Sequence, residues 1–415
     1  MNKYINNRVA DSDWDFLTAN TKEYTHCYHI YPAMMIPQIA RRLIKDFAPQ
    51  NTKVLFDPYC GTGTSLIEAN LVGYENVGTD LNPLARLISK VKSTNYNYNK
   101  IKNAVDSIND NIFSSSINGI DKIQIPNFIN IDYWFSKEIL NKLGFLQLLI
   151  NELNEEIRDF FLVPFSETIR EVSYTRNSEF KLYRIEKEKI PFHNPDVFKI
   201  FLTKINRNVL GLIEYNNNVK QTNTKVFDFN TCAGIPQNLF ANGIDLIVTS
   251  PPYGDSRTTV AYGQFSRLAN QWLGVEDASG VDNNLMGGKN NVEYQTFELK
   301  SANEDLQFIK EIDYKRYNEV KSFLIDYKKS IDNISPLINE GGMICYVVGN
   351  RRVKNRQIQL DAITAELFEN NGFKHITTIV RSIPNKRMPS RNSPSNVIGD
   401  LSATMTKEYI VILKK

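Results

Sequence analysis

The sequence predicts an α/β chain: a mostly parallel, doubly wound sheet with a closing antiparallel strand pair and a mainly helical insertion. Three observations predict it. Short β-branched or apolar runs at Lys53–Asp57, Asn76–Thr79, Lys225–Phe229, Ile244–Thr249 and Met343–Val348 read as strands buried on both faces. Helical spacing of apolar residues separates or flanks them, at Gln38–Phe47, Ser65–Leu71, Ile312–Ile338 and Leu360–Glu369. Polar and acidic residues collect where the strands stop, and in an open α/β sheet that carboxyl edge is where ligands bind.

Composition narrows the partners. Among 415 residues, 49 basic and 46 acidic side chains leave a net charge of +3. That is too small to announce a polyanionic partner, so any basic surface has to be local. No run approaches the roughly 20 apolar residues of a membrane span. The start, Met1–Arg8, has no apolar signal core, so a cytoplasmic protein is expected. Cys27, Cys60, Cys232 and Cys345 are far apart, which suits a reducing compartment. His26-Cys27-Tyr28-His29 has no second Cys/His pair to complete it, and no metal is expected.

Residues 1–20 read as a polar leading segment. Tyr31-Pro32-Ala33-Met34 then precedes the first amphipathic helix. The first strand ends in Asp57 and runs through Pro58-Tyr59-Cys60-Gly61-Thr62-Gly63-Thr64 into a helix. Glycines there permit a tight turn and close approach to a ligand, beside the unpaired N–H groups of a helix amino terminus. The second strand ends in Asp80, followed by Asn82-Pro83, and a carboxylate so placed can accept two hydrogen bonds from a ribose. The third glycine of a dinucleotide fingerprint is missing, and no phosphate loop follows. The implied ligand is a nucleoside without a phosphate chain.

Three regions result: residues 1–94, 95–223 and 224–415. In the middle one, helical patterns cover Asp132–Glu156, Asp159–Arg170 and Asp196–Tyr215. Arg170–Arg184 between them is basic with interleaved aromatics. This insertion is either a structural cap or one wall of a substrate cleft. The sheet resumes at Lys225–Phe229, with Asp228 and Phe229 at its end, and the central strand Ile244–Thr249 follows. It stops at Ser250, because Pro251 and Pro252 cannot donate to a sheet ladder. Its exit presents a hydroxyl, carbonyls and the ring of Tyr253, a set suited to a planar amine. Beyond it, Arg257–Trp272 reads as loop and helix and Gly280–Lys300 as a flexible polar loop. His375–Arg381 and Glu408–Leu413 form the closing pair.

Asp57-Pro58-Tyr59-Cys60-Gly61-Thr62-Gly63-Thr64 and Thr249-Ser250-Pro251-Pro252-Tyr253 resemble the cofactor and catalytic motifs of the amino-methyltransferases of DNA. Tyr31-Pro32-Ala33-Met34 is similar to the family's segment that closes over methionine. The resemblance covers about 24–90 and 224–415 and implies a Rossmann-like class I methyltransferase fold. It implies S-adenosyl-L-methionine as cofactor, held by Tyr31, the Asp57–Thr64 loop, Asp80, Asn82, Asp228 and Phe229. Double-stranded DNA becomes the expected substrate and a cognate restriction endonuclease an expected functional partner. The target base must be flipped out to reach Ser250, Pro251, Pro252 and Tyr253. Within the family the Ser-Pro-Pro-Tyr form is typical of methylation at cytosine N4. Adenine N6, guanine N2 in RNA, and a non-catalytic binding relic remain as alternatives. Here the cofactor motif precedes the catalytic one, the reverse of many Ser-Pro-Pro-Tyr members, so their recognition region is not transferred. DNA contacts are expected from basic residues in four segments: Arg176; Lys289; Arg351 and Arg352; and Lys386, Arg387 and Arg391.

Overall fold

The computed structural model describes residues 3–118, 123, 125–220, 222–255, 260–289, 297–383, 391–392, 402–403 and 405–415. Eight strands form one sheet: β1 (Arg8–Ala10), β2 (Val54–Asp57), β3 (Glu75–Thr79), β4 (Thr224–Phe227), β5 (Ile244–Thr249), β6 (Ile338–Val348), β7 (Lys374–Ser382) and β8 (Lys407–Lys414). Their order across the sheet is β1-β7-β8-β6-β5-β2-β3-β4. Pairing is parallel except where β8 meets β6 and β7. The chain moves outward from β2 through β3 to β4, then returns to start β5 on the other flank of β2. That reversal opens a crevice at the carboxyl ends of β2 and β5.

Side chains of the central strands alternate between two buried faces. Phe56, Ile247, Ile344 and Val411 pack towards helices Tyr314–Ile334 and Leu360–Glu369. Leu55, Leu246, Val248, Val347 and Ile410 pack towards Pro37–Phe47 and Thr64–Val72. Burial on both faces explains why these strands read as continuous apolar runs. The insertion is helical as expected, with Tyr98–Asn118, Lys137–Asn151, Glu155–Val172 and Val197–Asn216. Its core is continuous with helices Pro83–Ser93 and Tyr262–Trp272 through Ile88, Phe160, Phe165, Leu268 and Trp272.

Several elements differ from expectation. The leading segment is not a bare lead-in, because Arg8–Ala10 adds a parallel edge strand to Thr378–Val380, and Trp14 is buried. The pattern at 132–156 is broken before Lys137, where the Ser136 side chain caps a new helix by accepting from the Ile139 N–H. The helix expected over 312–338 spans Tyr314–Ile334, capped by Asp313, whose carboxylate accepts from the Arg316 N–H, and a separate helix not read from the sequence, Asn303–Ile312, precedes it. Gly341-Gly342 does not end a helix. It lies inside β6, where the register against β5 shifts between Ile244 and Leu246, and Gly341 takes φ +79. Within Gly280–Lys300 the described part contains a helical turn, Val281–Asn284, and the Gly287 N–H is held by Asp326 at 2.9 Å. Residues 290–296 lie outside the described set.

Candidate active site at the carboxyl edge of the sheet

The loop after β2 is shaped by its glycines. Gly63 has φ +82, and a Cβ there would sit 2.5 Å from Ser89 Oγ. Gly61 has φ +48 with open space beside it, and its N–H donates to Asp80 Oδ2 at 3.1 Å. Asp80 Oδ1 accepts from the Asn82 N–H at 2.8 Å. Each carboxylate oxygen therefore keeps lone-pair capacity for a second donor. At the end of β5, Thr249 donates to Asp57 Oδ1 at 2.5 Å, tying the two crevice strands together. Burial pushes the Asp57 carboxyl up to about 6, against hydrogen bonds that pull the other way. Burial raises Asp80 as well. Two carboxylates short of water at one site favour a ligand that brings positive charge and hydroxyl donors.

A cavity of about 100 Å³ lies there. It brings together Tyr31, Asp57, Tyr59, Gly61, Thr62, Thr64, Asp80 and Asn82 with Ser250 and Pro252. The Tyr31 segment is fastened from both sides. Thr64 Oγ1 donates to the Met35 carbonyl at 3.3 Å, and Asn82 Nδ2 donates to the Tyr31 hydroxyl at 2.9 Å. Tyr31 also stacks on Tyr262 at 5.9 Å. Sequence reasoning missed Tyr262, Met35 and Leu285 as lining residues. Tyr262 opens a helix after the Pro-Pro-Tyr loop, and its place at the cavity rests on that helix docking, for which no spacing in the chain gives a signal.

Pro58, Gly63, Pro251 and Tyr253 lie beside the lining residues and outside the lining itself. The Tyr253 hydroxyl lies 3.1 Å from Ser250 Oγ and donates to Glu408 at 3.1 Å. Asp228 is exposed beyond the end of β4, and Phe229 packs on Phe56 at 6.4 Å. Neither reaches the lining. The Phe229 carbonyl instead accepts from Thr79 at 2.8 Å.

Residues 22–139 match the RMKL-like methyltransferase-domain family. Over 96% of its length the chain is 40% identical to the type II methyltransferase M.MvaI of Kocuria varians, covering 93% of that protein. The chain belongs to the type II methyltransferases, a family of DNA methylases. A shorter likeness, 31% identity over 19% of this chain and 22% of the relative, joins it to a tRNA (guanine(10)-N2)-dimethyltransferase of Methanocaldococcus jannaschii. Among solved structures, the rRNA methyltransferase aviRa of Streptomyces viridochromogenes aligns with 93% of this chain and 88% of its own at 10% identity, with a TM-score of 0.31.

The basic residues of the methylase fall in different settings. Arg176 is exposed on a hairpin closed by the Thr175–Arg184 bridge, with Glu179 at 3.6 Å. That hairpin is pinned to helix Tyr262–Trp272 by the buried Arg170, which donates to the carbonyls of Phe265 and Glu179 at 3.1 and 2.6 Å. Lys289 and Arg352 are exposed. Arg351, expected on a DNA surface, is instead turned inward: its guanidinium holds the buried Asp255 at 3.1 Å, beneath the Pro-Pro-Tyr loop, together with Arg316 at 3.3 Å. A buried carboxylate draws in the nearest cations, and the sequence distance of 96 residues hid this pair. Lys386 and Arg387 lie outside the described residues. Arg391 pairs through its backbone with Ala403, and its side chain is not described.

No group of three or more His, Cys, Asp or Glu side chains placed to hold a metal occurs among the described residues. No described helix is long and apolar enough to cross a membrane. His26 and His29 are buried in the protein. His26 Nε2 meets Glu68 at 2.9 Å and His29 Nδ1 meets the Ile30 carbonyl at 2.7 Å. Burial lowers both to about 4, against about 6.5 in an unfolded chain. Acidification from about 6.5 to 4 therefore protonates the unfolded state first, and stability falls over that window. Asp57 acts oppositely between 3.8 and about 6, and Asp80, raised by burial as well, acts in the same sense as Asp57. The two histidines are expected to make the methylase less stable at pH 5 than at pH 7. Urea unfolding at the two pH values measures it, and equal midpoints would contradict the assignment.

Proposed function

We propose that this methylase transfers a methyl group from S-adenosyl-L-methionine to the N4 amino group of cytosine, in a base flipped out of double-stranded DNA. The observation that carries the reading is one cavity shared by Asp57, Asp80 and Gly61 from the loops after β2 and β3 and by Ser250 and Pro252 after β5. The donor set fits the cofactor. Asp80 has capacity for two ribose hydroxyls, Gly61 leaves room for close approach, and Asp57 with Asp80 complements a cation. The cofactor supplies an activated methyl on a sulfonium, so the protein's task is to position and activate the amine.

An aromatic amine is a poor nucleophile because its lone pair is delocalised into the ring. Ser250 Oγ and the Pro251 carbonyl accept its two N–H bonds and draw the nitrogen towards tetrahedral geometry, which localises the lone pair. Tyr253 provides a ring for the base to stack on. Positioning and fixed dipoles supply most of the rate in such a site. Residues 1–94 and 224–415 then form the methyltransferase core, with DNA contacts from Arg176, Lys289 and Arg352. The helical region 95–223 supplies one wall of the DNA cleft, and a restriction endonuclease reading the same site is the functional partner.

Digestion of DNA from a host expressing the protein, followed by mass spectrometry of the nucleosides, tests the reading. N4-methylcytosine is the expected product. N6-methyladenine alone would transfer the assignment to adenine and leave the mechanism intact.

A further inference from the structure

Ser250, Tyr253 and Glu408 stand in line, and Glu408 belongs to neither motif read from the sequence. We infer that these three residues form a hydroxyl chain ending on a carboxylate, which makes Ser250 a pure hydrogen-bond acceptor towards the target and conducts the amine's proton away. This rests on the amino-methyl transfer proposed above.

Donor counting carries the argument. Glu408 Oε2 is paired with the Arg381 guanidinium, so the carboxylate is ionised and can only accept. Arg381 is itself fixed, donating to the Trp14 carbonyl at 2.7 Å and the Asp15 carbonyl at 3.2 Å. The single proton of Tyr253 goes to Glu408 Oε1 at 3.1 Å. Tyr253 can then only accept across the 3.1 Å contact with Ser250, so the Ser250 proton is committed to it. What Ser250 has left is lone pairs. They suit an N–H donor and repel a carbonyl oxygen, so the chain selects the amino-bearing bases and rejects the keto edges of thymine and guanine.

Packing holds the chain in register. Glu408 and Arg381 are cross-strand partners on β8 and β7. A Cβ on Gly349 would lie 2.6 Å from Tyr253 Cδ2 and 2.1 Å from Met405 Sδ, so a glycine at the end of β6 gives the ring its seat. Burial holds Tyr253 as a phenol, with Glu408 adding to the effect, which suits a relay and not a base.

The step balances. The amine lone pair forms the N–CH3 bond as the S–CH3 bond breaks, and its electron pair stays on sulfur. The cationic nitrogen gives a proton to Ser250 Oγ, the Ser250 proton moves to Tyr253, and the Tyr253 proton moves to Glu408. The Glu408 side chain, 18% exposed, returns it to water. Before transfer, the anion at the far end polarises each hydroxyl in turn and strengthens Ser250 as an acceptor.

Tyr253→Phe keeps the stacking ring and removes one hydroxyl. Glu408→Gln keeps an acceptor for Tyr253 and removes the charge together with the ion pair to Arg381, so its rate is read beside a thermal-unfolding check that it is folded. In single-turnover assays with labelled cofactor and cognate DNA, each variant is expected to transfer methyl at least about tenfold more slowly. Cofactor and DNA affinities stay at wild-type values, and the double variant is no slower than the worse single one. A wild-type rate in either single variant overturns the relay while wild-type activity upholds the methylation reading. A wild-type protein that methylates no DNA overturns that reading, and the relay with it. Because Tyr253→Phe deletes a single oxygen, it remains decisive if Glu408→Gln fails to fold.

Discussion

Ser250→Ala is expected to lower turnover by about 10²–10⁴-fold, the range for removing a group that handles the reacting proton. The loss should fall in kcat, because in the proposed reaction the Ser250 hydroxyl acts on the target amine, and its hydrogen bond runs to Tyr253, away from the Asp57–Asp80 side of the cavity. Cofactor affinity measured by calorimetry should match wild type. Alanine also leaves the Tyr253 hydroxyl without its donor, so part of the loss comes from a Tyr253 ring free to leave its seat. A variant with wild-type turnover would show that the Ser-Pro-Pro-Tyr ending is only a strand terminus.

Asp80→Ala should have the complementary signature: weak cofactor binding, with chemistry recovered in part at saturating cofactor. Two ribose hydrogen bonds to this half-buried carboxylate would be worth roughly 1–3 kcal/mol each. A loss of about 3 kcal/mol is then about a hundredfold in Kd. The substitution also frees the N–H groups of Gly61 and Asn82, which Asp80 holds at 3.1 and 2.8 Å, so the glycine loop loses its brace. Unchanged affinity in titration calorimetry would remove Asp80 from the cofactor site.

What could be read from the chain follows a physical division. Strands β2, β3, β5 and β6 declare themselves because they are buried on both faces. Asp57, Gly61, Gly63 and Asp80 lie within 24 consecutive residues whose strand–loop–helix–strand order already fixes their common edge. Residues that meet across long separations left no such trace. Glu408 reaches Tyr253 from 155 positions away, and Arg351 reaches Asp255 from 96. The strand β1 was invisible because Arg8–Ala10 is short and mostly exposed, with no alternation to betray it. Its pairing is decided by a partner some 370 residues downstream. Asp228 and Phe229, which the family resemblance places at the cofactor, lie at the end of β4 and outside the residues lining the cavity.

The position of β8 has a consequence for how the enzyme is made. It is the latest of the eight strands in the chain, yet it lies between β6 and β7, and β1 joins the sheet only through β7. Until residues 407–414 have been synthesised, neither β7 nor β1 has a place to dock, and the sheet can be no wider than β6 through β4. Glu408 arrives on that same strand, and Arg381 on the strand it admits. Emerging from the ribosome, the chain can assemble the crevice between β2 and β5 early, while Glu408 and Arg381, the far end of the proposed relay, arrive late. Closing such long-range pairings late makes folding slow and leaves the edge of β6 unpaired meanwhile, the stage at which a half-made chain is most prone to aggregate.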